Sequence, residues 1–224
     1  MGTRANTRAR LREAGAIEFR DHGIRRASIE AICERAGFTR GAFYSNFASK
    51  EELFLDLYAG QVDRFADRLT AGFQAMREQS SLMQSVSTQW MARAVLEAFA
   101  TDHDGDAQWF PLVAEAQAEG MRDPELGRRL AAEQNRMNEL LAVVISRELG
   151  RLGLVLNMPA VDAVAVIGGL YESSLKNNLL ATDYDEAVRR TLDLIPRILE
   201  PLVRIQPDLS SAAVTALRES RLGS

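Results

Sequence analysis

The stretch FTRGAFYSNFASKEEL, from Phe38 to Leu53, decides how this chain is read. Phe43 and Phe47 stand four residues apart and share one helical face. The other face carries Thr39, Arg40, Ala42, Ser45 and Asn46, which are short or hydrogen-bonding apart from one arginine. Gly41 falls inside the helix, where glycine costs up to about 1 kcal/mol against alanine. Something other than helix propensity therefore asks for it. Ser49 and Glu52 form a capping box that closes the segment and opens a long helix.

Upstream, Ser28 is placed to cap a short helix that Ala36 and Gly37 end, because glycine accepts the left-handed conformation favoured at helix C-termini. Two short helices, residues 28–36 and 39–46, joined by a Gly-containing turn make a helix-turn-helix. The second helix of such a unit enters the DNA major groove with its early residues at base edges. Arg40 suits a guanine edge or a phosphate, and Asn46 an adenine edge or a phosphate. Gly41 leaves room for the backbone to approach a duplex, with Ala42 and Ser45 beside it. Tyr44 and Lys50 at the helix end, and Arg25, Arg26 and Ser28 ahead of it, complete the expected DNA-facing set. The charge balance agrees. Residues 1–50 hold ten Arg and Lys against five Asp and Glu, a net of +5, while the remainder carries −9 of the overall −4. A basic head on an acidic body suits a polyanionic partner.

The rest of the chain reads as all-α. Apolar spacing near 3.6 predicts helices over residues 8–21, 49–77, 80–100, 108–121, 124–152, 159–180 and 185–205, the last kinked by Pro196. Residues 101–107 read as an acidic loop, and residues 208–220 as a short helix or tail. Cys33 is the single cysteine, so an internal disulfide is excluded. The arginine-rich start has no apolar run behind it, unlike a signal peptide. The most apolar run, 163–171, is too short to span a bilayer. Asp102, His103, Asp104 and Asp106 lack the glycine and closing glutamate of a calcium loop. His22, beside Gly23, suits a helix-end role, and no Cys–His or Ser–His pairing is visible. No metal, no cofactor and no enzymatic activity are expected.

The combined pattern resembles the TetR family of bacterial transcription regulators. It consists of Phe19 before Gly23, Ser28-Ile29 with Ile32, Ala36-Gly37, Thr39-Arg40-Gly41 with Phe43-Tyr44 and Phe47, then Ser49-Lys50-Glu51, within residues 8–58. Gly15 and Cys33 depart from the family's usual alanine, and Ala48 from its frequent proline. The resemblance implies a homodimer with a three-helix DNA-binding head, residues 1–52, and an effector-binding and dimerisation body, residues 53–206, before a tail, 207–224; the lone cysteine suits a reducing cytoplasm. It implies a repressor that binds a near-palindromic operator in double-stranded DNA and is released by a small apolar or aromatic effector. Candidate pocket walls are Phe65, Phe73, Trp90, Phe110 and Met137, which on spacing alone read equally as core. The dimer seam is expected at Val164, Gly168, Tyr171, Leu175, Leu192, Ile195 and Leu199. The competing reading is an all-α interaction protein or enzyme whose head no longer functions.

Overall fold

The computed structural model describes residues 4–80, 103–151 and 154–205. Within them the chain is helical: α1 (Arg4–Arg26), α2 (Ile29–Ala36), α3 (Arg40–Tyr44), α4 (Lys50–Ser80), α5 (His103–Gly120), α6 (Pro124–Arg151), α7 (Ala160–Leu179) and α8 (Tyr184–Leu199). A 3-10 turn, Glu200–Leu202, follows α8. The architecture is all-α, a helix-turn-helix head followed by a helical body, with one small addition. Strands β1 (Leu154–Leu156) and β2 (Val203–Ile205) pair antiparallel, with Leu154 opposite Ile205 and Leu156 opposite Val203. The helix expected to run to residue 205 therefore ends at Leu199. Pro201 cannot continue a helical hydrogen-bond ladder, and its carbonyl accepts from Asn157 Nδ2 at 2.7 Å. The acidic loop expected at 101–107 is also corrected, because α5 is already helical from His103 and continues through Pro111. The helix expected over 80–100 lies outside the described residues, apart from Ser80, which ends α4. The tail from 207 lies outside them too.

Contacts group the chain into two units. The first contains Met1–Phe65 with Asp102–Arg136. Its core is built from Leu11, Phe19, Ile32, Phe43, Phe47, Leu53 and Phe54, all essentially inaccessible. Each such side chain is worth roughly 1.5–3 kcal/mol of burial. Phe54 joins three helices: its ring meets Phe19 of α1 edge-on at 6.1 Å, Tyr58 in a stack at 6.2 Å and Trp109 of α5 at 5.8 Å. Gly15 has a packing reason, since a Cβ there would stand 2.5 Å from Leu53 Cδ2. The α5–α6 hairpin is equally tight. A Cβ on Gly127 would lie 2.5 Å from the Gly120 carbonyl oxygen.

The second unit contains Ala66–Thr101 with Met137–Ser224. In it α7 packs along α8, burying Ala163, Val164 and Leu175 of α7 and Ala187, Val188 and Thr191 of α8. Thr191 Oγ1 fixes the pairing. It donates to the Ala187 carbonyl at 2.8 Å and accepts from Asn178 Nδ2 at 3.1 Å.

Candidate nucleic-acid interface

Helix α2 begins where expected. Ser28 is its N-cap, and its hydroxyl accepts from the Ala31 amide at 3.1 Å. Gly37 ends it at φ 70°. The Phe38 amide donates to the Cys33 carbonyl at 2.9 Å and the Gly37 amide to Glu34 at 3.1 Å, a Schellman closure that needs a left-handed residue. Thr39 then caps α3, accepting from the Ala42 amide at 3.2 Å. With only three residues between the helices, α3 is fixed against α2 by these caps and by Phe43 and Phe47 beneath it, their rings 5.9 Å apart.

The outward face of α3 is polar and open. Thr39, Arg40, Gly41, Tyr44 and Ser45 are exposed, and Ala42 is half-buried. A Cβ on Gly41 would meet only Thr39 Oγ1, at 3.7 Å, so nothing inside the protein requires glycine there. Arg25 and Arg26, at the end of α1, are exposed as well. Arg40 Nη1 lies 2.6 Å from a Glu30 carboxylate oxygen, and its guanidinium sits 5.9 Å from the Tyr44 ring centroid. The Tyr44 hydroxyl first, and Glu30 second, push the Arg40 pKa above its ordinary value, so its charge is fixed at any workable pH.

Two expected contacts stand differently. Asn46 is not on the open face. It is only 9% exposed, its Nδ2 donates to the Ala42 carbonyl at 2.8 Å, and its Oδ1 is buried without a hydrogen-bond partner. The reason is that residue 46 lies one turn after the buried Phe43, and the backbone keeps helical spacing there, with the Phe47 amide donating to the Phe43 carbonyl at 2.9 Å. Lys50 is half-buried, and Nζ donates to the Arg25 carbonyl at 2.9 Å and the Ala27 carbonyl at 3.0 Å. It satisfies carbonyls at the end of α1, and one of its three N–H donors is left over.

The structure adds residues that the sequence pattern did not single out. Arg8 donates to the Asn46 carbonyl at 3.0 Å, pairs with Asp56 at 2.7 Å and lies 4.3 Å over the Phe47 ring. It ties α1 and α4 to the end of α3. Glu115 of α5 accepts from the Ile24 amide at 3.0 Å and the Arg25 amide at 2.8 Å. Those amides are freed because Gly23 leaves helical geometry at φ 76°, ψ 165°. Only glycine tolerates that backbone readily, and a Cβ there would also stand 2.7 Å from Glu115 Oε2. Each of these contacts joins residues about 40 to 90 positions apart, so no local signal announces them.

Among the candidate pocket walls, Phe65 and Phe110 belong to the first unit and are half-buried. Phe73 and Met137 belong to the second, buried and half-buried respectively, and Trp90 lies outside the described residues. A cavity of about 110 Å³ in the first unit is lined by Ile24, Arg25, Lys50, Phe54, Glu115 and Leu126 among others, and by none of the five. It is smaller than the roughly 300 Å³ at which drug-sized sites begin. Of the expected seam residues, Val164 and Leu175 are corrected. They are buried within the protomer and offer no free surface, while Gly168 and Tyr171 are half-buried. The exposed large apolar side chains of α7 are Val161, Val166 and Leu170. The side chains of Leu192, Ile195 and Leu199 lie outside the description. Among the described residues no cluster of potential metal ligands occurs, and no helix is long and apolar enough to cross a membrane.

The family model described as bacterial regulatory proteins, tetR family, matches residues 11–57, from α1 into α4. The HTH-type transcriptional activator FasR of Mycolicibacterium smegmatis is 28% identical over 190 residues, 84% of this chain and 81% of its own. The HTH-type transcriptional regulator UidR of Escherichia coli is 26% identical over 136 residues, 61% of this chain and 63% of its own. A solved transcriptional regulator of the TetR family from Cytophaga hutchinsonii matches with a TM-score of 0.65 at 15% identity, covering 90% of this chain and 97% of that one. At that identity the likeness concerns the fold alone.

Proposed function

Because the chain belongs to the TetR family of bacterial transcriptional regulators, a family of DNA-binding proteins and not of enzymes, we propose that it is a ligand-responsive repressor acting as a homodimer in the cytoplasm. The observation that carries this reading is the open face of α3. Arg40, Gly41, Tyr44 and Ser45 point outward above the buried Phe43 and Phe47. Two such helices enter successive major grooves about one helical turn apart. Arg40 takes a base edge or a phosphate. Arg25, Arg26, Ser28, Thr39, Ala42 and the spare donor of Lys50 take backbone contacts.

The head corresponds to residues 1–52, the effector and dimer body to 53–206, and the tail to 207–224. The seam follows the exposed Val166 and Leu170, one turn apart on α7. The effector is small and apolar or aromatic. It acts by favouring one of two body conformations, with a coupling of about 1–3 kcal/mol. The Glu115 clamp on the Gly23 break gives α5 a direct hold on the end of α1.

Repression requires only that the bound dimer occlude a promoter, whereas activation also requires a surface that recruits polymerase. The activator named among the relatives keeps the second reading in view, and operator position relative to the promoter separates the two. The test of DNA binding is a salt titration. A groove-binding head loses affinity steeply with salt while keeping its preference for one duplex. A head that has lost its function retains no preference at any salt concentration.

A further inference from the structure

Glu30 plays only a small part in folding, that of a carboxylate near the positive end of a helix dipole. It occupies the first turn of α2, and its side chain and that of Arg40 are 60% and 59% exposed. Exposed ion pairs contribute little to stability. Beside Arg40, a carboxylate works against a polyanion at every sequence. Its ion-pair partner is Arg40.

The geometry is specific. Glu30 holds Nη1 of Arg40 at 2.6 Å, and the Tyr44 hydroxyl stands 3.5 Å from Nη2. The guanidinium is thus bracketed from α2 on one side and from the end of α3 on the other. It keeps donors free on its remaining edge, enough for a bidentate contact with guanine O6 and N7. A phosphate brought to the same guanidinium would carry its full charge close to Glu30. A base edge has no net charge and meets much less repulsion.

We propose that Glu30 is a specificity-determining positioning residue, which orients Arg40 and turns it from phosphates toward a base edge. This rests on the DNA-binding reading above. The probes are the duplex that the wild-type dimer enriches from a random-sequence pool and a scrambled duplex of equal length and composition. Both are titrated by fluorescence anisotropy over a range of salt concentrations.

Glu30→Gln is expected to bind the scrambled duplex more tightly. Its salt dependence should steepen by about 0.9 in log–log slope, one further phosphate contact. The preference for the selected duplex should fall roughly tenfold, within the range of one bidentate base contact. In an Arg40→Ala background the same change should leave the preference unaltered. The thermal midpoint of Glu30→Gln should fall by no more than a few degrees, the loss of one first-turn carboxylate, which removes a purely structural explanation. Equal tightening on both duplexes, with and without Arg40, would reduce Glu30 to a simple repulsive charge and overturn the proposal. An unchanged preference in Glu30→Gln would overturn it too. If the wild-type protein enriches no duplex, the DNA-binding reading itself fails and takes this inference with it, an outcome visible before any variant is made.

Discussion

Helices α3 and α7 are both rich in small residues, yet they leave opposite surfaces open. The uncovered side of α3 offers Arg40, Tyr44 and Ser45 over a floor of phenylalanines. The uncovered side of α7 offers Ala165, Val166, Gly169, Leu170 and Ser173, themselves uncharged, between the exposed Asp162 and Lys176. An open polar face with a bracketed arginine suits a charged, hydrated partner. An open face of small and branched apolar residues suits another protein surface of the same kind. The contrast separates two tasks, reading DNA and pairing protomers, and it lets each be damaged alone.

The largest effect is expected on α7. Replacing Val166 and Leu170 together by aspartate would bury uncompensated charge at the seam, at a cost of roughly 3–5 kcal/mol. Sedimentation equilibrium should show monomers where wild type is dimeric, with the helical circular dichroism retained. A dimer that survives would move the seam elsewhere. Next, Arg40→Ala should cost about 1–3 kcal/mol of discrimination if Arg40 reads a base. It should leave the sedimentation profile untouched, and equal losses on all duplexes would reassign it to a phosphate.

Gly37→Ala tests the frame that holds α3. Its positive φ is unfavourable for any side chain, so the head should lose about 1–2 kcal/mol of stability, read as a lowered unfolding midpoint. The smallest effect belongs to Asn46→Ala. Its amide donates to a carbonyl within the same turn, and its Oδ1 is unpartnered. Stability should change by less than about 1 kcal/mol, and the preferred DNA sequence should stay the same. A switch in preference at one base would restore Asn46 to the reading face.

The same contrast explains what the sequence could reveal. The head was legible because its signals are local: Ser28, Gly37 and Thr39 act within three or four residues of themselves, and Phe43 and Phe47 lie one turn apart. Asn46 was misplaced because its polar side chain argued for the outer face, whereas its position one turn after Phe43 sets it beside the core. On α7 Val164 and Leu175, which the resemblance set at a dimer seam, share one helical face and are packed inside the protomer. Periodicity marks burial but does not say what covers it. The β1–β2 ribbon, the Glu115 clamp and the Arg8 hub depend on partners about 40 to 90 residues away. Such pairings come from the assembled fold and leave no trace in any short window.

The account stands most directly on what the wild-type protein retrieves from a pool of random duplexes. It predicts enrichment of a near-palindrome whose half-sites lie about 10 base pairs apart, centre to centre. Recovery of no preferred sequence would contradict it.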